Sequence, residues 1–115
     1  MPEIKTRHDA ERMILSAAIN DRRCIPAIFG LVQQQHFTNP VHRALFQVIV
    51  DLYAESLSVN HNHLIVRLDQ KVTNRDVDVP TGNDIARLIY ELEECACTKA
   101  DLRPAAQVMR NPKNA

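Results

Sequence analysis

The chain has only two glycines and no tryptophan in 115 residues, aromatics make up 4% of it, and fourteen acidic residues cancel its fourteen basic ones. Each shortage excludes something. So little glycine beside 45% hydrophobic residues argues against a flexible or low-complexity chain and for a folded, helix-rich domain. A formal net charge of zero leaves no basic excess to draw the chain onto nucleic acid, and the few aromatics leave no platform for stacking single-stranded bases. Direct nucleic-acid binding by this chain alone is not expected. No run approaches the roughly 18 apolar residues that span a bilayer, and the N-terminus lacks the apolar core of a signal peptide. The expected location is the cytoplasm, with no membrane contact. Three cysteines, an odd number, make no disulfide framework and read as reduced thiols.

A chain of 13.1 kDa is long enough for one core that buries about two-thirds of the unfolded surface. The strongest local pattern runs from His36 to Tyr53. Asn39 can accept from orphan backbone N–H groups and Pro40 suits a first helical turn, so a central helix is expected to start there. Val41, Ala44, Leu45, Val48, Ile49 and Leu52 then recur at three- and four-residue steps, the stripe of an α-helix. A strand is excluded because Arg43, Gln47 and Asp51 repeat every fourth residue on the opposite face. Phe37, just before the cap, is a candidate hydrophobic staple.

Before this stretch, residues 1–8 read as a tail. Asp9 is a candidate N-cap for a first helix carrying Ala10, Met13, Ile14, Ala17 and Ala18 and ending near Asn20. Its small residues allow close approach by neighbours, which would put it near the centre of the packing. A short second helix fits Ile25 to Val32, with Pro26 in its first turn and Gly30 as a weak point. Beyond Tyr53, a polar turn precedes Asn60, a candidate cap for a fourth helix with Leu64, Ile65 and Leu68 inward, ending around Gln70. Thr73 to Pro80 has loop chemistry. Thr81 can cap a fifth helix with Ile85, Leu88, Ile89 and Leu92 inside and Asp84, Arg87, Glu91 and Glu94 toward water. Asp101 can cap a sixth, in which Pro104 lies in the first turn and Ala105, Ala106 and Met109 form a thin apolar edge. The expectation is an all-α bundle of about six helices over residues 9–110, followed by a tail over 111–115.

Metal and catalytic signals are weak. His61-x-His63 and Cys95-x-Cys97 place two residues about 200° apart on a helix, and zinc sites space their thiols more widely, so no metal or other cofactor is expected. Cys24 reads as a small structural residue like the other two. His42 lies on the core-side shoulder of the central helix with Glu11 as a plausible partner, and no Ser or Cys nucleophile is patterned near it. No catalytic residue is assigned.

These residues also carry a resemblance. Ala10, Glu11, Leu15 and Ile19, with Ser16 in place of a glycine, match the opening Ala-Glu-x-x-x-Leu-Gly-x-x-Leu of the N-terminal domain of the bacterial hexameric replicative DNA helicase, the DnaB type. His36-Phe37-Thr38, His42 and Leu45-Phe46 resemble its Asp-Phe-Tyr-x-x-x-His-x-x-Ile-Phe, and Leu52-Tyr53, Val59-Asn60, Leu64 and Leu68 fall in a later segment. The family's Gly-Gly is reduced to Thr81-Gly82, and its last-helix Asn-x-x-x-Tyr becomes Asp101 to Ala105.

The resemblance implies a non-catalytic protein–protein interaction domain of DNA replication, a collar that supports ring assembly and primase or loader binding. Its implied partners are helicase subunits, primase and a helicase loader. Glu11, Phe37, Pro40, His42 and Phe46 would be its structural motif. Family members continue into a helical hairpin that pairs subunits and then an ATPase domain, whereas this chain stops inside the first hairpin helix and has no G-x-x-x-x-G-K-[ST] phosphate loop. Leu102, Ala105, Ala106 and Met109 are accordingly the expected partner or self-association surface, with Leu57, Val59, Val77 and Val79 as further apolar candidates. A free-standing phage, plasmid or island-encoded regulator that mimics the helicase head is the alternative.

Overall fold

Asn39 and Pro40 start a helix by the chemistry their side chains suggest. In the computed structural model, which describes residues 6–73, 85–94 and 102–110, the Asn39 side-chain oxygen accepts from the backbone N–H of Val41 at 2.9 Å and of His42 at 3.3 Å. Pro40 occupies the first helical turn, and the helix, α3, runs Pro40–Ala54. It ends in a Schellman turn. The Leu57 N–H returns to the Leu52 carbonyl and that of Ser56 to Tyr53, while Ser56 takes the left-handed conformation at φ 61° that glycine usually supplies.

The first helix, α1, spans Arg7–Asn20. It starts earlier than the Asp9 cap would place it, because Thr6 is the cap: its hydroxyl accepts from the Asp9 N–H at 3.1 Å. Arg7 and His8, assigned to a tail from the sequence, are helical. A short 3-10 turn at Arg22–Cys24 leads into α2, Ile25–Leu31, and a second at Gln34–His36 leads toward α3. The fourth helix, α4, spans His61–Thr73 and starts where expected, the Asn60 side chain accepting from His63 N–H at 2.9 Å. It outruns Gln70 by nearly a turn: Val72 packs against the core and Lys71 pairs with Asp51 of α3 at 2.7 Å. The last two helices are α5, Ile85–Glu94, and α6, Leu102–Arg110. Among the described residues there are six α-helices and no strand, the all-α bundle expected. The proposed caps Thr81 and Asp101, the Val77 and Val79 loop and the Cys95-x-Cys97 pair lie outside the described residues.

Packing makes α1, not α3, the hub. It touches α6 most extensively and then α5, α3 and α2. Ala10, Ala17 and Ala18 are buried on it beside Met13, Ile14 and Leu15; side chains this small let helix axes approach on more than one side. Residues from all six helices meet in one core, with Leu45, Ile49 and Leu52 of α3, Leu64 and Leu68 of α4, and Ile89 and Leu92 of α5 fully buried.

The sixth helix overturns one expectation. Leu102, Ala105, Ala106 and Met109, proposed as an open association surface, are all buried within this chain. The apolar edge of α6 is core because α6 packs along α1. What α6 leaves to solvent is Arg103, Pro104, Gln107 and Arg110.

Candidate functional site

Glu11 is a carboxylate with no exposure at all, so its charge has to be met inside the protein. Four donors meet it. One oxygen accepts from the Thr38 N–H at 3.0 Å and the Thr38 hydroxyl at 2.8 Å; the other accepts from the Asn39 N–H at 3.3 Å and lies 2.9 Å from His42 Nδ1. Burial pushes the Glu11 carboxyl up, but the hydrogen bonds from His42, Thr38 and Asn39 together outweigh it and hold the group below the usual carboxylate range. Glu11 is therefore ionised, which makes His42 Nδ1 the donor. The pairing of Glu11 with His42 foreseen from the sequence is present; Thr38 was not foreseen as a partner.

This node fastens α1 to the entry of α3. It is sealed, with His42 also only 2% exposed, so no substrate reaches it and it has the geometry of a structural clamp. His8, one turn before Arg12 on α1, lays its ring 4.8 Å from that of His42. Burial, then the facing His42 and Arg12, lower the His8 pKa.

Arg7 extends the clamp. Its guanidinium donates to the His36 carbonyl at 3.3 Å and to the Met109 carbonyl, and its Nε lies 3.9 Å from Glu11. A cation at the carbonyl end of α6 complements the helix dipole, so one side chain joins α1, the turn before α3 and the end of α6. Sequence reasoning missed Arg7 by placing it in the tail, although Thr6-x-x-Asp9 carries the spacing of a helix start. Ser16, which replaces the family's glycine, was also missed as a bonding residue: its hydroxyl donates to the Leu92 carbonyl at 2.6 Å, and Asn20 reaches the same carbonyl at 3.3 Å.

The scarce aromatics are gathered into one row. Phe37 stacks on Phe46 at 4.6 Å, Phe46 meets Phe29 edge-on at 6.3 Å, Phe29 meets Tyr53 at 5.6 Å, and the Arg22 guanidinium sits 4.7 Å over the Tyr53 ring. Four of the five aromatics thus run from core to surface. Phe37, buried just before the cap, stacks two turns into α3 on Phe46, while its carbonyl accepts from Arg43 Nε at 3.0 Å. Phe29, between Phe46 and Tyr53 in the row, is 39% exposed.

The other sequence candidates are scattered. His61 binds Glu93 of α5 at 3.1 Å and stacks on Tyr90, whereas His63 turns away to the Ser58 carbonyl at 2.7 Å. Cys24 is buried in the core, Val59 packs against it, and Leu57 is exposed. Among the described residues no three His, Cys, Asp or Glu side chains come together as metal ligands would, and no helix is long and apolar enough to cross a membrane.

One surface cleft is formed by described residues. It holds about 290 Å³ beside the end of α2 and is lined by Phe29, Gly30, Leu31, Val32, Gln33, Gln35, His36 and Arg110. His36 Nδ1 accepts from the Gln33 N–H at 2.9 Å, so its proton sits on Nε2. Burial, then Arg110 and Arg7, push the His36 pKa down and favour this neutral form. The cleft offers hydrogen-bond donors and apolar wall but no nucleophile paired with a base, an arrangement suited to binding rather than bond-breaking.

Known proteins give the arrangement its context. No curated protein and no solved structure matches the chain. The family model of the DnaB-like helicase N-terminal domain matches residues 4–93, more than three-quarters of the sequence and all of α1 through α4. With its helical bundle, the chain belongs to the family of DnaB-like helicase N-terminal domains.

Proposed function

We propose that this domain works in DNA replication as a non-catalytic interaction domain, a collar that supports ring assembly of a replicative helicase and binds primase or a helicase loader. The observation that carries the proposal is the family match over α1 to α4. A sealed Glu11–His42 clamp and an exposed cleft with donors but no nucleophile suit a binding role. With the apolar edge of α6 consumed by the core, the binding surface is made from other faces than Leu102, Ala105, Ala106 and Met109.

Size-exclusion chromatography with light scattering tests this, on the chain alone and mixed with the replicative helicase or the primase of the same source. Co-elution with either supports the proposal. A chain that stays monomeric and ignores both overturns it.

A further inference from the structure

Helices α2 and α6 carry no carboxylate. The two helices pack together, and their sequences, Ile25 to Leu31 and Leu102 to Arg110, hold two arginines and no carboxylate in a chain whose charges balance overall. Both arginines are exposed, and among the described residues neither Arg103 nor Arg110 is paired with an acidic side chain. On α5, by contrast, Arg87 is accompanied by Glu91, Glu93 and Glu94.

Gly30 is the second observation. It lies exposed on α2, its backbone does not require a left-handed conformation, and a Cβ built on it meets nothing within 4 Å. Alanine would fit this chain and favour the helix. The fold therefore gives no reason for a glycine here, whereas a second backbone approaching from outside does. Next to it, Phe29 is exposed but braced edge-on by Phe46 and Tyr53, so little of its freedom remains to be lost on binding.

We infer that this α2/α6 face is a docking site for an acidic amphipathic helix of a partner protein, which seats its backbone against Gly30, its apolar side on Phe29 and its carboxylates on Arg103 and Arg110. The inference deepens the interaction role proposed above and rests on it for the partner being a protein. Donors on His36 and Arg110 in the adjoining cleft suit a carboxylate or a helix-terminal carbonyl.

The test uses the whole chain and a synthetic amphipathic helix with leucine on one side and glutamate on the other, followed by NMR amide shifts. A lysine version of the peptide and a DNA duplex serve as controls. The expected result is a set of shifts centred on Phe29, Gly30 and Arg110, binding by the glutamate peptide alone, and affinity reduced about tenfold or more by combined R103E and R110E. Gly30→Ala is the sharper variant, because it keeps or raises the melting temperature while weakening binding. Shifts on another face, no binding by the acidic helix, preferential binding of the duplex, or self-association through this face would each overturn the inference. Peptide binding here without co-elution of helicase or primase would sink the replication proposal alone; co-elution indifferent to Gly30→Ala and R103E/R110E would sink this one alone.

Discussion

Glu11 and Arg110 belong to helices that pack closely together, yet their charges are in opposite physical situations. Glu11 is shut away from water and held by four donors within 3.3 Å. Arg110 is exposed, with no carboxylate on its own helix or on α2. A buried charge that lost its partners would have no water to replace them, so the Glu11 node governs whether the chain folds. An exposed arginine is solvated whatever it touches, so the α2/α6 face is open to serve binding at little cost to stability.

The hardest way to break this contrast is Glu11→Ala. It strips His42, Thr38 and Asn39 of their acceptor and opens a void beside α1, and a loss of about 3–5 kcal/mol is expected in urea unfolding. An effect near that of a surface substitution would show that the clamp is not needed.

Acid probes the same node without mutation. The folded-state pKa of Glu11 is depressed, so its contribution is present above the ordinary glutamate value of about 4.3 and is lost as the pH falls through the lower folded value. His8 and His36 are also depressed and act in the same sense, beginning at the ordinary histidine value of about 6.5. Thermal melts should fall from near neutrality downward, with the steeper acid limb flattened in Glu11→Gln. A melt as stable at pH 4 as at pH 7 would contradict the geometry.

Ala106→Leu asks whether α6 is core or interface. As a buried residue in a helix packed against α1, it should lose about 1–3 kcal/mol from overpacking; unchanged stability would restore it to the surface. Asn39→Ala removes the cap of α3 and should cost about 1 kcal/mol by denaturant titration. At the small end, Arg103→Glu and Arg110→Glu should each change stability by no more than about 0.5 kcal/mol. A larger loss would mean that the face is tied into the fold after all.

Much of the fold was legible because its signals are local. Asn39 and Pro40 announced α3 through capping chemistry confined to one turn, and Asn60 did the same for α4. The stripe from Val41 to Leu52 named a buried side without needing to know what covers it. The pairing of Glu11 with His42 was legible too, since a histidine on a core-side shoulder needs a polar partner.

Arg7 was not legible. Its two carbonyl acceptors belong to residues 29 and 102 positions away, and nothing in the sequence near Arg7 points to either. Nor was the fate of α6. An apolar edge of Leu102, Ala105, Ala106 and Met109 looks the same in sequence whether it covers a neighbouring subunit or the chain's own first helix.

The sequence by itself determined the helical class, the starts of α3 and α4, the inward residues of most helices and the family resemblance, all of which follow from side-chain chemistry repeated at short range. Only the tertiary structure decided that Arg7 ties α1 to α6, that α6 spends its apolar edge on the core, and that Arg110 lines one cleft with Gly30. Those outcomes depend on which surfaces meet across long stretches of chain, where small side chains permit close approach and burial forces each polar group to find a partner.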